Sequence, residues 1–283
     1  MNINIPKRSE DRLAAGVKKF QPIVQAALKR DANESDTSTI IIDMLSDVFG
    51  FEKYSEITTE FAIRGTYCDV AIKLGSSSKP TILVEIKAIG IPPDDKHVKQ
   101  AVDYAANQGV EWVVLSTGAV WILYKVIFGK PINQEEVLRF NFLEIDAKER
   151  DSLWPLFVLS KDGWVKELPE QLQAEKEVLS RFNIGALLLA EPMLDCLRRE
   201  LRKLAPEVKT ENEQLAAILE SEIIKREVLE GEKAEAANRR ITRHLNKVKR
   251  AKSQSEAGSS EGAASTPTTS TPSAPMQPNQ PTP

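Results

Sequence analysis

The chain has 283 residues, 41% of them hydrophobic and 28% charged, with a formal net charge of −3. That is the profile of a soluble globular protein with room for one sizeable domain and accessories. No apolar run approaches the ~18 residues of a membrane span, and the opening MNINIPKRSEDR lacks the apolar stretch of a secretory signal. The two cysteines, Cys68 and Cys196, form neither a metal spacing nor a disulfide framework, so the sequence reads as cytoplasmic. Charge is unevenly spread. Residues 31–160 hold twelve Lys/Arg against twenty acids, whereas residues 1–30 hold seven against two. Arg239 to Lys252 carries seven Lys/Arg and no acid. Any nucleic-acid role therefore has to contend with an acidic middle.

In chain order, residues 8–30 predict a helical arm, bent or interrupted near Pro22. Ser35 or Asp36 is positioned to cap a helix with apolar residues at Ile40, Ile41, Met44, Leu45 and Val48, ended by Gly50. EITTEFAI and YCDVAIKL predict a hairpin around Arg64-Gly65-Thr66. TILVEIKAI, rich in β-branched residues, predicts a central strand. Asp94 or Asp95 starts a helix that stops at Gly109, and EWVVLS and AVWILYKVIF follow as two strands around Thr117-Gly118. This order predicts an α/β core over residues 31–145, with a mixed sheet flanked by helices. Residues 146–252 show 3.6-residue apolar spacing and predict a helical extension with a basic end. Residues 253–283 are Ser/Thr/Pro-rich and predict a disordered tail.

Three charges stand on strands otherwise built for burial. Strand side chains alternate faces, so Asp69 shares a face with Ala71 and Lys73, and Glu85 and Lys87 share one with Leu83. If the apolar faces of the two strands coincide, Asp69, Glu85 and Lys87 converge at one end of the sheet. Burying an isolated carboxylate costs several kcal/mol unless something compensates it. A divalent cation such as Mg²⁺ compensates two at once, and an ammonium beside it can position a water for attack. The grouping suits metal-assisted hydrolysis of a phosphodiester. On spacing alone, a structural salt bridge at a sheet edge fits equally well.

The order Asp, turn, apolar strand ending Glu-x-Lys resembles the PD-(D/E)xK nuclease superfamily, with Cys68 where that motif has proline. Gln100 and Tyr104, spaced i, i+4 on one helix face, resemble the Gln-x-x-x-Tyr element of RecB-like and type I restriction nucleases. NESDTSTIIIDMLSDVFGF is similar to that family's opening helix, and TTEFAIRGTYCDVAI to its acid-containing hairpin. The likeness is to the N-terminal nuclease domain of type I restriction-enzyme R subunits, over about Ala32 to Phe142. It implies a restriction-endonuclease-like fold and a Mg²⁺-dependent deoxyribonuclease, with Mn²⁺ as a substitute metal. By this resemblance Asp69, Glu85 and the carbonyl of Ile86 bind metal, with Glu34 as a further acid tuning it. Lys87 then orients the attacking water, Gln100 and Tyr104 position the site or a phosphate, and Glu60 lies nearby. The implied partner is DNA, with RNA open as an alternative substrate.

A type I R subunit continues into a helicase motor. This sequence has no G-x-x-x-x-G-K-[ST] phosphate loop and reads as a stand-alone nuclease-like domain with a helical appendix. The alternative is a nuclease-fold module that no longer cuts and serves in nucleic-acid binding or assembly. The long C-terminal helices favour a protein partner or self-association under either reading. With only His97 and His244 available, a Ser–His–Asp or Cys–His mechanism has little to build on. His97 itself reads either as a DNA contact or as an exposed surface residue. The basic run Arg239–Lys252 is either a solvated helix end or a phosphate contact.

Overall fold

The structure is a computed structural model describing residues 4–63, 66–75 and 79–258. The chain divides into two compact units, with the break between Val178 and Leu179.

The first unit is an α/β layer structure around a six-stranded mixed sheet. Its strands are β1 (Ile57–Ile63), β2 (Thr66–Ile72), β3 (Ile82–Ile86), β4 (Trp112–Ser116), β5 (Val120–Ile127) and β6 (Asn133–Asn141). They lie side by side in sequence order. All neighbours are antiparallel except β3 and β4, which run parallel. A parallel pair needs a crossover, and helix α3 (Asp95–Gln108) supplies it. Asp94 caps α3 by accepting the Lys96 and His97 N–H groups, and Gly109 ends it at φ 62 in the left-handed region that glycine enters freely.

Alternation along β3 divides the core in two. Ile82, Val84 and Ile86 face one apolar cluster, and Leu83 faces the other. The first cluster is walled by helices α1 (Lys7–Lys29), α2 (Glu34–Asp47) and α4 (Trp154–Leu159), with Leu168 and Leu172 of α6 (Leu168–Val178) also joining it. The second is covered by α3 through Val98, Ala101, Val102 and Ala105. A five-residue helix, α5 (Lys161–Val165), lies between α4 and α6 and buries Trp164. Trp112 of β4 meets Trp164 edge-on at 5.5 Å.

Four details depart from the sequence reading. Residues 7–29 are one uninterrupted helix that buries Leu13, Val17, Phe20 and Val24, so this segment is a wall of the core and not an arm. Pro22 is exposed, as is Lys18. The carbonyl that Pro22 deprives of a partner therefore lies on the watered side, where the lost bond costs least. Asn33, not Ser35 or Asp36, caps α2, its Oδ1 accepting the Asp36 N–H at 2.9 Å. The sheet has a sixth strand, β6, where the sequence suggested none. The helical region assigned from residue 146 is split, since the first compact unit runs to Val178. The Arg64–Gly65 part of the β1–β2 turn lies outside the described residues.

The second unit is helical: α7 (Arg181–Leu188), α8 (Glu191–Leu204), α9 (Asn212–Ile218), a π-helical turn at Leu219–Ile223, α10 (Arg226–Leu229) and α11 (Glu232–Gly258). Its small apolar cluster is built on Leu194, Leu215 and Leu219. Helix α11 reaches into the segment expected to be a disordered tail, and residues 259–283 of that tail lie outside the described residues. No helix among the described residues is long and apolar enough to cross a membrane.

Candidate active site

The site forms where β2 and β3 part. The last paired residues of their ladder are Val70 and Val84, and the next step sets Asp69 opposite Glu85. Here the side chain of Asp69 replaces a backbone partner: the Ile86 N–H donates to Asp69 Oδ2 at 2.7 Å. On its other edge β3 stays joined to the neighbouring strand, the Lys87 N–H donating to the Ser116 carbonyl at 3.0 Å. The β2–β3 ladder thus ends at the two carboxylates, close to the C-terminal end of the β3–β4 parallel pair. Open α/β sheets commonly bind ligands at such strand ends.

Glu85 is 1% exposed. Its Oε1 accepts from Lys87 Nζ at 2.8 Å, while Oε2 is buried without a hydrogen-bond partner. Lys87 Nζ also stands 3.6 Å from Glu34 Oε2, so the ammonium lies between the two glutamates. Glu34 is held there by the first turn of α2. The buried Thr37 hydroxyl donates to the Asn33 carbonyl at 2.8 Å and accepts the Ile89 N–H at 3.2 Å, tying that turn to the chain after β3. Sequence reasoning passed over Thr37. The only available signal was a hydroxyl in the first turn of an otherwise apolar helix face.

The electrostatics follow from burial. Burial pushes the Glu85 carboxyl above its ordinary value against the Lys87 hydrogen bond, with Asp69 and Glu34 pushing the same way. Asp69 is raised chiefly by burial as well, although the Ile86 N–H and Lys87 oppose the shift. For Lys87, burial pulls the ammonium down, but the hydrogen bond to Glu85 and the charges of Glu85, Glu34 and Asp69 outweigh it, so its pKa is raised. The amine is therefore protonated at neutral pH. Cys68, next to the site, is a buried thiol pushed up to about 12, mainly by burial, and is inert as a nucleophile at neutral pH.

The structure thus brings Asp69, Glu85, Lys87 and Glu34 together. Among the described residues no group of three or more His, Cys, Asp or Glu side chains is placed to hold a metal by itself. The candidate acid pair is Asp69 and Glu85, with Lys87 between Glu85 and Glu34. Gln100 and Tyr104 sit on α3 and bond to each other, Gln100 Nε2 donating to the Tyr104 hydroxyl at 2.9 Å. Gln100 is exposed, while Tyr104 packs on the α3-side cluster. Among the described residues no hydrogen bond joins either to the carboxylates. His97 completes the α3 cap through an Nδ1 that accepts the Asp94 N–H at 3.4 Å.

Glu60 lies in register with Asp69, between the pairs Thr59–Val70 and Phe61–Cys68. It is exposed and has φ 47, a conformation that strains any residue with a Cβ. Around this step the alternation of β2 also breaks, since Cys68 and Ala71 both reach the α3-side cluster. Glu60→Gly is expected to raise the unfolding free energy measured in urea by up to roughly 1 kcal/mol, and Glu60→Val to lower it. A glycine variant less stable than the parent would show that the position carries no strain.

Residues 34–136 match the family described as Type I restriction enzyme R protein N terminus. This segment is thus similar to the N-terminal domain of type I restriction-enzyme R proteins. It spans α2 to the middle of β6 and contains all four grouped residues. No curated protein and no solved structure gives a match to the chain.

Proposed function

We propose that the type I restriction R-type domain of this chain is a divalent-metal-dependent nuclease acting on DNA. The observation that supports this reading is Glu85 Oε2, a carboxylate oxygen buried without a partner beside a second raised carboxyl. A structural salt bridge has no use for that arrangement, because an unpaired buried oxygen loses its hydration and gains nothing in exchange. A hard cation supplies the missing partner, and Asp69 and Glu85 with the Ile86 carbonyl are the groups to hold it. When bound, Mg²⁺ or Mn²⁺ supplies Lewis-acid polarisation of the phosphodiester.

The remaining work falls to residues of the chain. Asp69 keeps one oxygen on the Ile86 N–H, which fixes the carboxylate plane and leaves its second oxygen to the metal. Lys87, protonated, acts as a hydrogen-bond donor and not as a base. Its Nζ orients the attacking water and meets the negative charge that builds on the phosphoryl oxygens. Glu34, half exposed, steadies that ammonium from the α2 side. Gln100 and Tyr104 present a polar pair on the neighbouring helix, suited to steering a phosphate.

The test is purified protein with supercoiled plasmid, linear duplex and single-stranded DNA, in Mg²⁺, Mn²⁺ or EDTA. Cleavage with either metal and none with EDTA is the expected result. Inertness on every DNA form, together with no metal binding by calorimetry, would leave a nuclease fold serving only in binding or assembly.

A further inference from the structure

We infer that α11, in the second unit, carries a nucleic-acid contact of its own, a phosphate-backbone surface reading no sequence. At 100° per residue, Arg239, Arg240, Arg243, Lys247 and Arg250 fall within one arc of the helix. Ala234, Ala237, Ile241 and Leu245 take the opposite side and are buried or half-buried, and α11 packs on α7. The five cations are all exposed. Residues 239 to 250 span about 17 Å of helix axis, the rise of roughly five phosphates along one DNA strand.

Two observations set this face apart from an ordinary solvated helix. Favourable charge–dipole interaction fades within the last turn of a helix, yet these cations begin about five turns before α11 ends at Gly258. Elsewhere in the second unit, cations are interleaved with acids on their own helix: Arg198 with Asp195, and Lys203 with Glu200. Between Arg239 and Lys252 there is no acid at all. Of the cations there, Arg239 pairs back to Glu235 at 3.5 Å and Lys249 to Glu191 at 2.6 Å, and Arg240 and Arg250 also have interaction partners. The apolar side is spent on packing within the unit, so the helix cannot insert that side into a lipid surface. Surface like-charge repulsion along the stripe is relieved by a polyanion, and each neutralised phosphate releases a counterion. The inference goes beyond the proposed cleavage and does not depend on it.

The experiment uses the full chain in EDTA, so that no cleavage intervenes. Fluorescent duplex DNA and duplex RNA are titrated across a salt series from about 50 to 200 mM, with anionic phospholipid vesicles as a third probe. Wild type is compared with Arg243→Gln/Lys247→Gln/Arg250→Gln and with the milder Arg243→Gln/Lys247→Gln; circular dichroism checks that each is folded. The triple variant is expected to bind DNA at least tenfold more weakly at low salt. Its log–log salt slope should be shallower by about two to three, near 0.9 for each phosphate that is no longer neutralised. If the triple variant fails to fold, the double variant carries the test, with a slope change of about two. An unchanged slope and affinity in the folded variant overturns the inference, as does binding to vesicles without binding to nucleic acid. Wild type that binds in EDTA but never cleaves with metal would sink the nuclease reading and leave this surface standing.

Discussion

Asp69→Asn is expected to abolish metal-dependent cleavage while melting later than wild type in EDTA. The two effects have one origin. The Asp69 carboxyl is raised chiefly by burial, so its negative charge is a cost to the fold. Asparagine keeps the shape and an oxygen to accept the Ile86 N–H, but removes the charge. Loss of a group that stabilises charge in the transition state costs about 10²-fold or more in rate. The stability gain has a definite pH sign. A carboxyl whose folded pKa lies above its unfolded value of about 3.9 binds protons more readily in the native state. Its stability penalty is therefore full at neutral pH and fades as pH falls through the folded value towards the unfolded one. The melting gap between asparagine and wild type should be wide at neutral pH and close near pH 4. An asparagine variant that melts earlier at neutral pH in EDTA would mean that Lys87 outweighs burial at Asp69. Mg²⁺ should raise the melting temperature of wild type and leave that of the variant nearly unchanged.

Trp121→Ala is expected to cost the first unit about 3–5 kcal/mol, a large share of the roughly 5–15 kcal/mol that keeps a domain folded. Trp121 is 1% exposed. Its ring meets Phe49 at 4.8 Å, and its Nε1–H donates to the Gly118 carbonyl at 3.0 Å. Truncation opens a cavity between α2 and the sheet and leaves that carbonyl unmet in the β4–β5 turn. Trp121→Phe should lose less, since most of the packing survives and only the hydrogen bond goes. Urea denaturation measures both. A loss below about 1 kcal/mol for alanine would show that the surrounding side chains collapse into the space.

The acidic pair and its lysine were legible in the sequence because pairing the apolar stretches of β2 and β3 sets them at one step of the ladder, with Lys87 two residues on from Glu85. Once Val70 faces Val84 across the ladder, Asp69 and Glu85 must meet. What alternation could not show was the Asp69 side chain standing in for a backbone acceptor, since that depends on where two strands separate. Nor could it place Lys87 between Glu34 and Glu85, which fixes the ammonium as a donor. Strand β6 was hidden by its composition. Asn133, Gln134, Glu135 and Glu136 open it, residues poor in β propensity, and they are tolerated because β6 is an edge strand whose buried residues are Val137, Leu138 and Phe140. Helix α1 was misread for the opposite reason. Pro22 is a strong local signal, but it sits on the wet side of a helix held by tertiary packing.

The packing of α1 also decides where this chain can be cut. Fragments trimmed to the family match would begin at residue 34 and end at residue 136, discarding α1 and severing β6 in mid-strand. Ile41, Met44 and Leu45 of α2 share a core with Leu13, Val17 and Phe20, so removing α1 uncovers a continuous oily wall beside the acids. Such a fragment is expected to aggregate, and its inactivity would say nothing about Asp69 or Lys87. Expression boundaries near residues 4 and 178 retain every wall of that core.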